Sequence, residues 1–195
     1  MKKGKLYTSI ICIVLILALG GYLLYLKLRR YRHDIDDAIE NHTPLTKEDM
    51  TQPSASYDTS SRGYRNNNPL NIRINDNNNW VGEVRPSTDG SFCQFVSMAY
   101  GFRAGMVCIR TYITKHKLTT ISEIIGRWAP WTDGNNPTRY AKFIVDTWPN
   151  DFPSVDTVID YTNKDQMTKL AYAMAIMENG SEPLMSDIYE GFDLM

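Results

Sequence analysis

The chain has 195 residues, of which 21 are Lys or Arg and 22 are Asp or Glu, and its formal net charge at pH 7 is -1. No acidic residue lies within positions 1–33, so the rest of the chain is distinctly acidic. This distribution argues against a nucleic-acid partner, because that affinity depends on Lys and Arg side chains that neutralise phosphates. With three His, three Cys and no CxxC motif, the sequence has too few ligands for a zinc site or a His-based triad, and we expect no cofactor.

A long apolar run begins near the N-terminus and extends from Leu6 to Leu26 without a charged residue. At a rise of about 1.5 Å per residue, about 21 helical residues cross a hydrocarbon core of about 30 Å. A cleaved signal peptide is the main alternative, because basic residues precede the run and Ala18-Leu19-Gly20 resembles a cleavage site; a buried helix is another. Since the run continues beyond that site, we predict that residues 1–32 form a membrane anchor with basic flanks.

Basic residues flank both ends of this run, so the positive-inside rule leaves the orientation open. The acidic remainder favours export, and we therefore expect a single-pass membrane protein whose soluble part is periplasmic or extracytoplasmic. Residues 33–61 are rich in Thr, Ser and Pro and poor in large apolar side chains, which predicts a flexible polar stalk. Residues 62–195 contain all four Trp and enough apolar residues for one compact domain.

Three extended segments begin the predicted domain. Residues 70–74 alternate apolar and polar side chains, and the polar turn Asn75–Asn79 leads into an extended run at Trp80–Val84. A second turn, Pro86–Gly90, precedes the largely apolar segment Phe92–Val96. Short alternating segments separated by Asn, Gly and Pro turns are typical of hairpins, so we predict a small three-stranded antiparallel sheet.

Helical patterns follow the predicted sheet. Apolar residues recur at helical spacing over Met98–His116. A capping box at Thr120–Glu123 starts a second helix, and Asn136-Pro137 starts a third. The fourth predicted helix spans Asn163–Asn179 and is closed by a glycine. A small sheet with about four helices predicts an α+β fold that is mainly helical.

Glu178 lies near the end of the fourth predicted helix, at the edge of its apolar stripe. Partial burial and the negative end of the helix dipole both favour a protonated carboxyl at this position. A protonated carboxyl can act as the general acid of glycosidic-bond cleavage, which is the role that we predict for Glu178. The structural alternative is that Glu178 only extends into solvent at a helix end.

Short motifs are spread over the predicted domain. They lie at Arg62–Arg73 (RGYRNNNPLNIR), Trp80–Gly82, Asp89–Phe95, Gly101–Ala104, Arg127–Pro130 (RWAP) and Glu178–Gly180 (ENG). Together they resemble a phage-associated family usually described as virion structural proteins, whose members typically carry RNNNPGNIR, RWAPP and a helix that ends in ENG. Two positions depart from this pattern, because Leu70 replaces the usual Gly and Trp131 replaces the second Pro.

The segment Ala175–Pro183 ends a predicted helix in ENG and then contains a Pro. It is similar to the ESG-like helix end of murein hydrolases in the lysozyme superfamily. Residues 67–73 and 92–95 likewise resemble the β-lobe of the flagellar-type glucosaminidases. In those enzymes the glutamate precedes the β-lobe, whereas Glu178 follows it, so a lysozyme-like domain here would have to be circularly permuted.

This second resemblance implies roles for further residues. Beside the general acid Glu178, either Glu83 or Asp89 would orient water or stabilise developing positive charge. Amide and aromatic side chains suit a sugar groove, and arginine suits anionic muramyl groups. The predicted substrate-binding residues are Asn67, Asn68, Asn71, Arg73, Trp80 and Tyr140. Structural roles in turns, strand faces, core packing or ion pairs are the alternative for each of them.

Our leading functional hypothesis is a membrane-anchored domain that cleaves peptidoglycan glycan strands, as a muramidase, a glucosaminidase or a lytic transglycosylase. The alternative is a non-catalytic phage or prophage protein, either a virion structural component or an envelope-binding module with a virion or envelope protein as its partner. A toxin held by an immunity partner would use the same chemistry as the enzyme.

Overall fold

A computed structural model describes residues 57–195 of the chain. The predicted anchor at 1–32 and most of the predicted stalk at 33–61 lie outside these residues. The described part is mainly helical and contains a small antiparallel sheet, which confirms the predicted mixture of helices and sheet.

Most of the helices in the described part lie after the sheet, in the order that the sequence predicts. Helix α2 has the predicted bounds, and it is the longest of them. The elements are α1 (Arg62–Arg65), β1 (Glu83–Val84), β2 (Gln94–Phe95), α2 (Met98–His116), α3 (Ile121–Trp128), a 3₁₀ turn (Trp131–Asp133), α4 (Pro137–Thr147), α5 (Lys164–Asn179) and α6 (Met185–Asp193).

The predicted single-pass membrane localisation is contradicted. Among residues 57–195, no helix is both long enough and apolar enough to cross a membrane. Helix α2 has the necessary length, but it carries Arg103, Arg110 and Lys115, whose charges are costly in hydrocarbon. The apolar run Leu6–Leu26, on which the prediction depends, lies outside the described residues.

The predicted three-stranded sheet has two strands instead. Strands β1 and β2 pair in antiparallel register, whereas the segment at 70–74 contributes an isolated bridge between Arg73 and Phe92. The ladder stops there because Asn71 has a φ of 49°, in the left-handed region, which interrupts the extended backbone that a third strand needs. The third predicted strand is therefore a loop that touches the sheet at one position.

Side-chain caps fix where three helices begin, as the sequence predicts. Thr120 and Glu123 form a complete capping box at the start of α3. Asn136 and Asn163 accept hydrogen bonds from backbone N–H groups in the first turns of α4 and α5. Because these bonds satisfy N–H groups that have no partner inside the helix, they set the starting residue of each helix.

Helix α5 lies at the centre of the core and contacts α1, α2, α4 and α6. Its buried residues are mostly small or flexible apolar side chains, which allow neighbouring helices to pack closely around it. They are Met167, Thr168, Leu170, Ala171, Ala173, Met174 and Ala175. The C-terminal end of α5 is consequently surrounded by other elements, and Glu178 lies in this part of the helix.

The last helix, α6, is absent from the sequence prediction. It packs against α2, and Gly191 permits the close approach of the two helices. A Cβ at Gly191 would lie 2.7 Å from the backbone oxygen of Ala99 and 2.9 Å from Cβ of Phe102. Leu184 is the N-cap residue of α6, and its side chain makes no capping hydrogen bond, so the usual N-terminal signal is missing from the sequence.

Tyr57 supplies the missing cap from the other end of the described chain. Its hydroxyl accepts a hydrogen bond from the Leu184 N–H at 3.1 Å and donates one to Asp187 at 2.6 Å. The ring is buried against Tyr64, with centroids 4.7 Å apart. Although Tyr57 belongs to the segment that we interpreted as the stalk, its side chain is part of the core.

Candidate functional site

The carboxylate of Glu178 is held by side chains from three other parts of the chain. Its Oε1 accepts hydrogen bonds from Trp128 Nε1 at 3.2 Å and from the Tyr140 hydroxyl at 3.0 Å. Its Oε2 accepts one from Asn71 Nδ2 at 3.1 Å. Hydrogen bonds to a carboxylate are stronger than those between neutral groups. The end of α3, one face of α4 and the loop before β1 therefore meet at Glu178.

Tyr140 is buried in α4, and its hydroxyl lies between Glu178 and the backbone oxygen of Met174, at 3.3 Å from the latter. Burial raises the pKa of Tyr140 well above its usual range, and the nearby Glu178 carboxylate adds to this shift. The hydroxyl therefore keeps its proton around neutral pH and remains a hydrogen-bond donor. We predicted a sugar-facing aromatic residue here, whereas the ring is in the core and the hydroxyl contacts Glu178.

Asn71 approaches Glu178 from a left-handed backbone conformation that Asn adopts more readily than most residues. Its side chain packs against Gly63 of α1. A Cβ at Gly63 would lie 2.9 Å from Asn71 Oδ1 and would overlap Oδ1 of Asn179, so the close contact requires glycine. Asn179 also donates to the backbone oxygen of Pro69 at 2.7 Å, which joins the end of α5 to this loop.

Glu178 lines a cleft of about 370 Å³ that includes the loop at 70–73 and the end of α3. Two of the predicted substrate-binding residues, Asn71 and Arg73, also line it. The cleft combines aromatic, cationic and acidic side chains, namely Phe92, Tyr112, Trp128, Arg127, Asp133 and Glu178. Aromatic faces beside polar groups can bind a ligand that has both apolar and polar surfaces, and carbohydrates are such ligands.

Asp133 provides a second carboxylate in this cleft. It ends the 3₁₀ turn after Pro130, its side chain is exposed, and among residues 57–195 it has no side-chain hydrogen bond or ion pair. Asp133, Arg127 and Trp128 are not among the predicted site residues, because the RWAP motif is also typical of a helix terminus that packs on the core. The feature of the sequence that could have indicated a site here is the polar segment that directly follows this motif.

Glu83 and Asp89, the predicted second carboxylates, do not line the cleft. Asp89 pairs with Arg62 at 2.6 Å and accepts a hydrogen bond from Asn66 at 2.8 Å. The hydrogen bonds from Arg62 hold the pKa of Asp89 well below its usual range. Glu83 pairs with Arg85 at 2.9 Å. Both carboxylates thus have cationic partners of their own, and their catalytic roles stay predictions.

The remaining predicted binding residues stabilise the sheet region. The Asn68 amide donates to two backbone oxygens at 2.9 Å, and Asn67 Nδ2 donates to the backbone oxygen of Phe95 at 3.0 Å. Trp80 packs against a small buried cluster that contains Ile72. Neither asparagine lines the cleft of Glu178, and neither does Trp80, so their substrate-binding roles also stay predictions.

Cys108, on α2, lines the same cleft. Burial raises the pKa of its thiol to about 11, so the thiol is protonated at neutral pH. Because the thiolate is the nucleophilic form of cysteine, Cys108 is not an activated nucleophile in this state. The carboxylates of Glu178 and Asp133 are therefore the candidate reactive groups of the cleft.

Comparison with known proteins finds a phage relative. Protein P5 of Pseudoalteromonas phage PM2 is 37% identical over 136 residues, which covers 68% of this chain and 81% of that protein. No protein-family model matches the chain. The relative supports the predicted association with phages, and its name carries no statement about peptidoglycan or about a lysozyme-like activity.

Proposed function

Because this chain belongs to the family of Protein P5 of Pseudoalteromonas phage PM2, we propose that it is a phage-associated protein whose cleft acts on peptidoglycan glycan strands. The observation that carries this proposal is the position of Glu178, a carboxylate held by three donors at the side of an aromatic cleft. Two candidate functions agree with this position of Glu178. One is catalytic and the other is not, and they differ in what Glu178 does.

The first candidate function is cleavage of the glycosidic bond. Glycosidic-bond cleavage needs an acid that protonates the leaving oxygen. Glu178 Oε1 accepts two hydrogen bonds, whereas Oε2 accepts one side-chain bond, from Asn71, so Oε2 is the better placed oxygen to exchange a proton with a ligand. Asp133 is the second carboxylate in this proposal, which orients water or stabilises the positive charge that develops on the sugar.

The second candidate is a non-catalytic phage protein, either a virion structural component or a module that binds the cell envelope. The phage relative agrees with the phage association of this candidate, and its name says nothing about cleavage. The hydrogen bonds of Glu178 also support it, because they join α3, α4 and the Asn71 loop to α5. A carboxylate that connects four segments can serve as a structural link without taking part in any chemistry.

Digestion of purified sacculi separates the two candidates. The full-length protein is incubated with sacculi, and released muropeptides are identified by mass spectrometry, which also reports the bond cleaved and whether an anhydro sugar forms. If the protein is an enzyme, Glu178→Gln lowers the release by at least about 10²-fold, because the amide cannot supply the proton.

Glu190→Gln is the matched control, because Glu190 is exposed on α6 and lies outside the cleft. It is expected to leave release unchanged. If the unmodified protein releases nothing but still sediments with sacculi, the catalytic candidate fails and the envelope-binding candidate gains. Equal release by the Glu178 and Glu190 variants would remove Glu178 from the catalytic proposal.

A further inference from the structure

Two arginines line the cleft beside Glu178, and neither forms an ion pair with another of the residues at 57–195. Arg73 extends from the loop that bridges to Phe92, and Arg127 from the last turn of α3. Both side chains are exposed. In an acidic domain, where carboxylates are plentiful, unpaired guanidinium groups in a cleft are available to an anionic ligand.

Aromatic rings hold both guanidinium groups in place. Arg73 lies over the ring of Phe92, 5.3 Å from its centroid, and Arg127 lies over the ring of Tyr112 at 5.0 Å. A guanidinium group over an aromatic face is attracted to the ring and retains N–H groups that can donate to a ligand. Each arginine therefore has an aromatic contact that favours its place in the cleft before a ligand arrives, which reduces the conformational entropy lost on binding.

Arg62 lies in the same region and, unlike Arg73, forms an ion pair within the described part of the chain. It also lies over the ring of Phe92, at 4.4 Å from the centroid, but its guanidinium group donates to both carboxylate oxygens of Asp89. Its donors are therefore occupied by the protein itself. Arg73 shares the aromatic contact and lacks such a partner among the described residues, so its N–H edge is the one that can serve a ligand.

A guanidinium fork matches the two oxygens of a carboxylate better than any neutral hydroxyl. Peptidoglycan offers carboxylates on its peptide stems, and on the lactyl group of those muramyl sugars that carry no stem, whereas chitin-like strands of N-acetylglucosamine offer none. We propose that Arg73 and Arg127 form a carboxylate-binding subsite, so that the cleft selects glycans that carry carboxylates over neutral amino-sugar strands. This inference rests on the proposed binding of glycans.

The subsite also separates the charges within the cleft. Glu178 and Asp133 would repel a carboxylate on the ligand, and the two arginines provide the only cationic side chains among the described residues that line the cleft. The carboxylate of the ligand therefore docks against the arginines, which keeps it away from the acidic pair.

Binding measurements with defined oligosaccharides test the proposal in the full-length Glu178→Gln variant, which prevents turnover of the ligand. Three probes are titrated by calorimetry: a muramyl tetrasaccharide with free lactyl groups, a disaccharide with its peptide stem, and neutral chitotetraose. Arg73→Gln and Arg127→Gln are each expected to weaken binding of a carboxylated probe by about tenfold, the loss of one charge-assisted hydrogen bond. Chitotetraose should be unaffected, and the two carboxylated probes show whether the lactyl or the stem carboxylate is bound.

Arg139→Gln is the control, because Arg139 is exposed on α4 and does not line the cleft. A ligand-side experiment needs no variant: reduction of the lactyl carboxylates to alcohols, and added salt, should each weaken binding of the muramyl probe. Equal affinity for carboxylated and neutral probes would overturn the subsite and leave the proposed glycan binding intact. Failure of all three probes to bind would overturn both.

Discussion

The two oxygens of the Glu178 carboxylate have different surroundings. Oε1 is fixed by Trp128 and Tyr140, whereas Oε2 accepts a single side-chain bond from Asn71. The sequence indicates a carboxylate at the edge of a buried helix face, and this position is correct. It does not indicate the partners, because they lie between 38 and 107 residues away along the chain.

Asp133→Asn tests the second carboxylate of the catalytic candidate. The change should lower muropeptide release by about 10²-fold or more if Asp133 acts on water or on the sugar cation. The midpoint of thermal unfolding should not move, because the side chain is exposed and makes no ion pair with the described residues. Release and unfolding are measured on the same preparation.

Asp76→Asn is the corresponding control, since Asp76 is an exposed carboxylate outside the cleft. It removes the same charge from the surface and should change neither quantity. A large loss of release in both variants would assign the effect to the net charge of the protein. Unchanged release in Asp133→Asn would remove this residue from the proposed mechanism.

Helix boundaries were the most predictable elements of this fold. The caps at Thr120, Asn136 and Asn163 act within four residues of the chain, so their chemistry is visible in the sequence. The third strand and helix α6 were not predictable in the same way. The strand stops at the left-handed backbone of Asn71, and α6 is capped by a residue that lies far away in the sequence.

Gly63→Ala tests how α1 and α5 position the loop of Asn71. The added methyl would overlap Oδ1 of Asn179 and crowd Oδ1 of Asn71, and such overpacking costs typically about 1–3 kcal/mol of unfolding free energy. We expect a lower midpoint in urea unfolding. Because Asn71 donates to Glu178, any cleavage activity or glycan affinity should fall as well.

Gly126→Ala is the matched control within the interior of α3. A Cβ there meets nothing within 4 Å, and alanine is the better helix former by about 1 kcal/mol. The control should therefore stabilise the protein slightly, or leave it unchanged. A Gly63 variant as stable as the Gly126 variant would show that the contact with the two asparagines can relax without cost.

At the scale of the whole molecule, the cleft is a product of tertiary structure. Its wall combines the loop at 70–73, the end of α3, the 3₁₀ turn and the end of α5. Asn71, Arg73 and Glu178, which the sequence predicts as site residues, line the cleft, and so do Arg127 and Asp133, for which the sequence predicts no such role. Packing decides which of these side chains share the cleft, and their roles in binding or catalysis stay predictions.

Alkaline pH should destabilise the whole fold through its buried tyrosines. Burial raises the pKa of Tyr140, Tyr57 and Tyr64 in the folded protein above the value of about 10 of an unfolded chain. Above about pH 10 the unfolded chain loses tyrosine protons first, so the stabilisation that is complete below this pH declines as the pH rises. Urea unfolding at pH 8, 10 and 11 measures the decline.

Tyr140→Phe isolates the contribution of one hydroxyl. At pH 8 the change should lower the free energy of unfolding by about 1 kcal/mol, because a buried hydrogen bond is lost. It should also reduce the decline of this free energy between pH 10 and pH 11. Tyr189→Phe, at an exposed position, should change neither quantity. If the free energy of unfolding is the same at pH 8 and pH 11, the buried tyrosines do not control alkaline stability.

The contact between Tyr57 and α6 ties the two ends of the described chain into one cooperative unit. The hydroxyl that caps α6 belongs to a residue 127 positions earlier than Leu184, so α6 cannot reach its full stability before the N-terminal side of the domain has folded. Removal of either end of the described residues therefore takes a packing and hydrogen-bonding partner from the other end.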